Sequence, residues 1–336
     1  MTLERGLVEV RNKITPVSAV VAAAVPEGHG DAAPFCPWLH GYTVFVAAAT
    51  FFLIIAGALV TSNDAGLSVP DWPTSFGTFR MPRMVGGVLY EHGHRMIAAT
   101  VGLLTVILAV WVWLRETRRG ARWLAVAAVA AVIAQGILGG ITVLFYLPLF
   151  VSTGHAALGQ IFFCILVALA VTTQKDWRRD EPKIEEESLT LRLRTLAMAM
   201  TGAIFLQLIL GALYRHGGLG IGPHLAGALA VSVLALWLAV RILSRFMKED
   251  GMSRAARRLV GLVALQIFLG IVAYVLRLQF QNAPQPMPPV VLVGTAHVAV
   301  GALVLAQCLA LTLLVFRRVA APSGTAGDEA QEKAAL

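Results

Sequence analysis

Four histidines recur at matching places in four similar apolar segments of the sequence. Each lies near the start of its segment, and the set is His94, His155, His224 and His297. An ionisable side chain within a membrane-length apolar segment is costly and is a functional hypothesis by default. One such histidine could be a satisfied polar residue, but four at equivalent positions indicate ligation.

The pairing of these histidines favours haem over a simple metal ion. Zinc needs three or four ligands at one point, often including cysteine. Cys36, Cys164 and Cys308 lie far apart in the sequence and form no zinc spacing. Two imidazoles from facing helices of a four-helix bundle suit bis-axial ligation of haem iron. Two histidines in each half of the chain therefore predict two haem sites.

Glu91 lies three residues before His94, and residues i and i+3 share a helix face. The equivalent positions before the other histidines hold Ser152, Ile221 and Gly294. A carboxylate in one copy only predicts one reacting site and one electron-carrying site. Glu91 would accept a proton or stabilise positive charge beside a substrate. The alternative is an ion pair between Glu91 and Arg95 or Arg83.

Three arginines fall near the same helix ends as the histidines, namely Arg95, Arg215 and Arg277. Each could pair with a haem propionate. Plain anchoring at the membrane interface explains each of them equally well.

The elements that carry these residues are apolar stretches of membrane-spanning length. The chain has 336 residues, of which 57% are apolar and 14% charged, with a mean hydropathy of +0.74. A soluble domain carries about 25% charged residues, and a spanning helix needs about 20 apolar ones. The eight stretches are residues 42–62, 87–114, 123–146, 153–173, 196–214, 222–243, 259–276 and 290–316. This pattern predicts an all-α integral membrane protein.

An internal repeat predicts how the eight helices are grouped. A glutamine four residues before a glycine recurs in three odd-numbered stretches, as Gln135 and Gly139, Gln207 and Gly211, and Gln266 and Gly270. The first stretch has a looser version around Gly57. The small residues allow close helix packing or leave room for a flat cofactor. The repeated hairpin predicts two pseudo-symmetric four-helix bundles, with an N-terminal tail (1–41), an N-terminal bundle (42–174), a linker (175–195), a C-terminal bundle (196–317) and a disordered tail (318–336).

The net charge of +8 indicates orientation rather than nucleic-acid binding. Arginine and lysine concentrate in alternate connections and near the C-terminus, so the positive-inside rule places both termini in the cytoplasm. The tryptophans near the cytoplasmic helix ends resemble an aromatic belt, and they are Trp111, Trp113, Trp123 and Trp177. The apolar run at 14–25 resembles a signal-peptide core, but we expect a cytoplasmic tail at the membrane surface.

The longest connection on the other side covers residues 63–86, here called the first loop. It contains several prolines, Gly66 and Trp72, which predict a structured segment over the mouth of the first site. It could act as a lid or be a plain connector. We expect the four remaining histidines to be ordinary surface residues: His29 and His40 in the tail, His92, and His216 in a loop.

From about residue 42 to 317, the sequence resembles the haem A synthase family. The resemblance is carried by Glu91, His94 and Arg95, by the glycine-containing motifs at His155, His224 and His297, and by the first loop. It implies that the C8 methyl of haem O is oxidised by two successive hydroxylations, with loss of water giving the formyl group of haem A. His94 and His155 would hold the substrate iron, His224 and His297 would hold haem b, and Glu91 would be essential.

The resemblance also implies a setting. The protein would lie in the cell inner (plasma) membrane, take haem O from haem O synthase, use an unidentified electron donor and serve terminal oxidase assembly. A homo-oligomer is compatible with it. Many bacterial relatives carry a cysteine pair in the first loop, whereas Val69 and Ser75 stand in that region here, which puts any thiol-based role of this loop in doubt. The alternatives are a dihaem b-type electron-transfer cytochrome and, more remotely, a proton-linked transporter.

Overall fold

The fold consists of long apolar helices, because a backbone in hydrocarbon must satisfy its own hydrogen bonds. The computed structural model describes residues 19–21, 24, 35–178, 184, 192–246 and 249–320. Its eight long helices are α1 (Pro37–Ser62), α2 (Gly87–Arg115), α3 (Arg119–Leu144), α4 (Leu149–Thr172), α5 (Leu193–Arg215), α6 (Ile221–Arg245), α7 (Asp250–Gln279) and α8 (Pro288–Arg318). All eight are long and apolar enough to span a membrane. The predicted all-α membrane fold is confirmed.

Two helices begin at least five residues earlier than the apolar pattern indicates. α7 starts at Asp250 rather than near residue 259, because a polar first turn remains helical where Met252 and Ala256 are buried. α1 starts at Pro37, within the segment assigned to the tail, and proline is well suited to the first turn of a helix. Hydropathy detects the membrane-spanning part of a helix and misses such extensions.

The packing of the helices follows the order of the hairpins. α1, α2, α3 and α4 contact one another in a closed ring, and so do α5, α6, α7 and α8. Between the rings, α8 packs on α1 and α4, and α4 packs on α5. This pattern is compatible with the predicted pair of four-helix bundles. The central helices α4 and α8 are accordingly the most buried.

Ion pairs and a stacked arginine lie at the end of the helix bundle opposite the histidines. Arg318 pairs with Glu249, and Arg118 pairs with the fully buried Glu116 at 2.7 Å. Trp177 lies under the Arg317 guanidinium and is 4% exposed. Trp177 is therefore a packed residue, and its assignment to an exposed aromatic belt was wrong.

Parts of the predicted tails and linker lie outside the described residues. Val20, Val21 and Ala24 are helical and pack into the hydrophobic core. The rest of the apolar run at 14–25, most of the linker and the tail after residue 320 are not described, nor is His29.

Candidate functional site

The four repeated histidines all lie in the first three turns of even-numbered helices, on α2, α4, α6 and α8. The alternating direction of the helices places them near one end of the molecule, here called the histidine end. His94 and His155 interact electrostatically in the N-terminal ring of helices. In the C-terminal ring, the imidazoles of His224 and His297 have centroids 6.2 Å apart and planes at 75°.

The separation of His224 and His297 fits an iron ion bound between two imidazoles. Two metal–nitrogen bonds of about 2 Å each, with the two half-rings, give a centroid separation of about 6 Å. The Nδ1 atoms of His94, His155 and His297 are buried and have no hydrogen-bond partner within the described part of the chain. Buried polar atoms normally have partners, so these nitrogens are the orphaned donors or acceptors expected of ligand side chains.

A glycine on the preceding helix makes room for each imidazole. A Cβ atom added to Gly57, Gly139, Gly211 or Gly270 would lie 3.0–3.3 Å from Cε1 of the following histidine, in the order His94, His155, His224 and His297. This distance is tighter than an ordinary carbon contact. The repeated glycines therefore let the histidine rings pack directly against the neighbouring backbone.

The repeated glutamines tie three histidine turns to the preceding helix. Gln135 donates to the backbone carbonyl of His155 at 3.0 Å. Gln207 donates to the carbonyl of His224 at 2.8 Å, and its amide lies 3.0 Å from the ring Nδ1. Gln266 approaches the ring of His297 at 3.3 Å.

The first hairpin lacks this glutamine. Leu53 occupies the position four residues before Gly57, and no described residue forms a hydrogen bond with the His94 ring. The turn that carries His94 is instead bonded to the first loop through Glu91 and Arg95.

Glu91 is a buried carboxylate one turn from His94, with an exposure of 4%. One of its oxygens accepts from Arg95 at 2.6 Å, and the other accepts from the backbone N–H of Val69 at 2.8 Å. Arg95 also donates to the carbonyls of Val69, Asp71 and Thr74. The predicted ion pair with Arg95 is present, and both of its members also bond the backbone of the first loop. Arg95 is thus already engaged by protein groups.

The first loop is structured, as its composition predicts. Trp72 packs on α3 so closely that a Cβ on Gly140 would lie 2.6 Å from the indole. Ser75 is buried and bonds the ring of His92 at 2.9 Å. Val69 and Ser75 therefore contact residues on the first turns of α2.

Asp71 organises the turn at the tip of this loop. Its carboxylate accepts from the hydroxyl of Thr74, and from the backbone N–H groups of Phe76 at 2.6 Å and Gly77 at 2.8 Å. The hydrogen bonds from Thr74, then Gly77 and Phe76, lower the pKa of Asp71 below its usual value. The turn is therefore held by a charged side chain.

Arg215 and Arg277 lie near each other at the histidine end of the C-terminal ring. Arg215 donates to the Ser62 hydroxyl at 3.2 Å and is close enough to Arg277 to be repelled by it. The Arg277 guanidinium stacks on Tyr214 at 5.0 Å. Two adjacent guanidiniums suit two carboxylates, so both remain candidates for propionate pairing.

The other described histidines differ in their surroundings. His40, expected on the surface of the tail, lies within α1 and bonds Thr173 at 3.1 Å, so that expectation was wrong. His216 follows α5, where burial and then the charge of Arg215 lower its pKa. With His92, which bonds Ser75, they are the described histidines outside the repeated set.

The residues that surround the histidines were not predicted as part of the site. The repeated glutamines form a motif in the sequence, but no function was predicted for them. Their fixed spacing to a glycine was the signal that could have identified them. The contacts of Val69 and Trp72 join residues from distant parts of the chain, and local spacing carries no information about them.

The comparisons with known proteins agree with this arrangement. Residues 84–221 match the family model described as cytochrome oxidase assembly protein. The chain is 30% identical over 261 residues to the heme A synthase of Symbiobacterium thermophilum, covering 69% of this chain and 84% of that protein.

Two other relatives, also named heme A synthase, match over shorter regions. That of Bacillus licheniformis is 28% identical over 187 residues, covering 53% of this chain and 59% of the relative. That of Lysinibacillus sphaericus is 27% identical over 182 residues, covering 53% and 58%. These two matches span less than two thirds of the relatives. The long match to the Symbiobacterium protein, together with the eight helices and the repeated histidines, shows that the chain belongs to the haem A synthase family.

Proposed function

We propose that this multi-pass membrane protein converts haem O to haem A by oxidising the C8 methyl group to a formyl group. The names of the relatives support this function. The observation that carries it at the level of residues is the asymmetry of the repeat: there are two matched histidine pairs and, among the described residues, a buried carboxylate lies beside one of them, at Glu91.

In this proposal, the N-terminal pair holds the substrate. His94 and His155 would bind the iron of haem O, and the glycines facing them let the two imidazoles pack against the neighbouring helix backbones. Glu91 lies one helical turn from His94 with both oxygens engaged by donors. The carboxylate is therefore fixed in position, where it can receive a proton or stabilise positive charge that develops on the substrate.

The C-terminal pair, His224 and His297, would hold haem b, which supplies one-electron transfer when it is bound. Their ring separation, the orphaned Nδ1 of His297 and the cradling glycines support this assignment. Arg215 and Arg277 would pair with its propionates. Arg95 already bonds Glu91 and the first loop, so it is a weaker candidate than Arg215 and Arg277 for pairing with a haem propionate.

The proposal also includes the domains, the membrane and the partners of the protein. The N-terminal ring (42–174) is the substrate domain and the C-terminal ring (196–317) the haem b domain, joined by the linker at 175–195. The protein spans the plasma membrane, and both of its termini lie in the cytoplasm. Haem O synthase supplies the substrate, an electron donor reduces the protein, and haem A passes to terminal oxidase assembly.

The test is mass spectrometry of haems extracted from a host that makes haem O but no haem A. The host expresses the unaltered protein, Glu91→Gln or the control Glu249→Gln, a glutamate paired with Arg318 at the opposite end. We expect haem A with the unaltered protein and the control. Loss of a proton-transfer group costs about 100-fold in rate or more, so Glu91→Gln should yield little haem A at equal protein level.

Two outcomes would contradict the proposal. Equal haem A from Glu91→Gln would remove the role of this carboxylate. A folded protein with a bis-histidine spectrum that yields only haem b and haem O would favour the dihaem electron-transfer cytochrome instead.

A further inference from the structure

A second polar site lies at the end of the molecule opposite the histidines, where α2 ends and α3 begins. A cavity of about 300 Å³ is lined there by Trp113, Arg119, Arg122 and Trp123. Neither the repeat nor the proposed reaction uses these residues. The cavity is open to the surroundings of the helix bundle, because Trp113 and Trp123 are 51% and 63% exposed.

Among the described residues, no ion pair neutralises the two arginines of this cavity. Between α2 and the first turn of α3 the chain carries four arginines, at 115, 118, 119 and 122, but one acidic residue, Glu116. The carboxylate of Glu116 is fully buried and engaged by Arg118. This carboxylate is therefore paired with Arg118 and not with the arginines that line the cavity.

The two arginines that line the cavity retain free donors. Arg122 uses Nε to donate to the Glu116 carbonyl at 2.6 Å, and its guanidinium stacks 5.4 Å from the centre of the Trp113 ring. Within the described residues, no acceptor engages its terminal nitrogens or any guanidinium nitrogen of Arg119. Stacking on tryptophan fixes one guanidinium, so its N–H groups are preorganised for an anion.

We propose that this cavity binds the anionic phosphate headgroup of a phospholipid. The two guanidiniums meet the phosphate, and the exposed indoles lie near the ends of two helices of membrane-spanning length, where tryptophan is favoured at the lipid interface. Basic cavities between spanning helices are a known form of headgroup recognition. A phospholipid fits better than a free anion because the exposed tryptophans and Leu114, 73% exposed, offer apolar contact beside the charges.

The test measures binding of phosphatidylglycerol to the purified full-length protein in detergent by native mass spectrometry. Arg119→Gln removes a free guanidinium that lines the cavity, and the matched control Arg115→Gln removes an exposed arginine of the same segment outside it. Loss of one arginine near an anionic headgroup should weaken binding about fivefold. Arg115→Gln should leave binding nearly unchanged, and Trp123→Leu should weaken it without altering charge.

Several results would overturn the proposal. Equal weakening by Arg115→Gln and Arg119→Gln would indicate diffuse charge attraction. Equal binding of phosphatidylcholine would remove the selectivity for an anionic headgroup. Full displacement of phosphatidylglycerol by excess inorganic phosphate would identify a site for a soluble anion. Because Arg119 is exposed and remote from the histidine end, these results are independent of the haem A measurement.

Discussion

At the scale of single residues, the histidines are positioned by their neighbours more than by their own helices. Each ring packs against a glycine of the preceding helix, where an added Cβ would lie closer to the ring than an ordinary carbon contact. Three of the four histidine turns are also bonded to a glutamine one turn from that glycine. The glycine and the glutamine together define where the imidazole can lie.

This arrangement predicts that Gly211→Ala displaces the ring of His224. The added Cβ would lie 3.0 Å from Cε1, and overpacking of this kind costs about 1–3 kcal/mol. Gly202→Ala on the same helix is the matched control, because its Cβ meets nothing within 4 Å. Both changes favour the helix equally. We expect lower haem b content and an altered reduced spectrum for Gly211→Ala alone, and identical spectra for both variants would refute the prediction.

At the scale of elements, the first loop contacts the helices that surround the candidate site. It is bonded to α2 through Glu91 and Arg95, and it covers α3 through Trp72. Its tip is held by the charged form of Asp71.

The turn at Asp71 predicts a pH-dependent loop. Because the native pKa of Asp71 is lowered, its contribution to the folded loop is present at neutral pH and is lost as the pH falls through that pKa. Asp71→Asn should therefore speed hydrogen exchange at Phe76 and Gly77 at neutral pH, and its difference from the unaltered protein should vanish in acid. Exchange at Gly217 and Gly218, in the other loop at this end, serves as the internal control. Unchanged exchange at Phe76 and Gly77 would contradict the role of Asp71.

The sequence predicted the elements well because the membrane imposes a length and an apolar composition that can be read locally. It predicted the placement of the histidines because the repeat fixes their depth in each even-numbered helix. It could not predict the bonds of Val69 to Glu91 or of Trp72 to α3, which depend on how the loop folds back. The polar first turn of α7 was missed because helix formation there depends on packing rather than hydropathy.

At the scale of the whole molecule, two rings of helices share one interface. α8 and α4 lie at its centre, and Ser62 of α1 accepts hydrogen bonds from Arg215 and Thr295 of the other ring. Each ring contributes its own histidine pair. Under the proposed function, each haem would therefore be held without a histidine from the other ring.

This independence predicts separable haem sites. His224→Ala and His297→Ala should each remove the bis-histidine haem b spectrum to the same extent, because six-coordinate low-spin iron requires both ligands. His216→Ala is the control, since this histidine lies at the same end of the same ring but outside the pair. Difference spectra of the purified proteins provide the measurement. A loss of haem b in His216→Ala equal to that in His224→Ala would contradict the assignment.

The absence of a glutamine before Gly57 has a consequence for turnover. Leu53 leaves the turn that carries His94 without the inter-helix bond that fixes the other three, and this turn is attached to the first loop by Glu91 and Arg95 instead. Loops move more readily than packed helices, and such motions often limit product release. Under the proposed function, opening of the loop would loosen an iron ligand and uncover the site in a single motion, so substrate entry and product exit would be timed by the same hydrogen bonds that position the carboxylate.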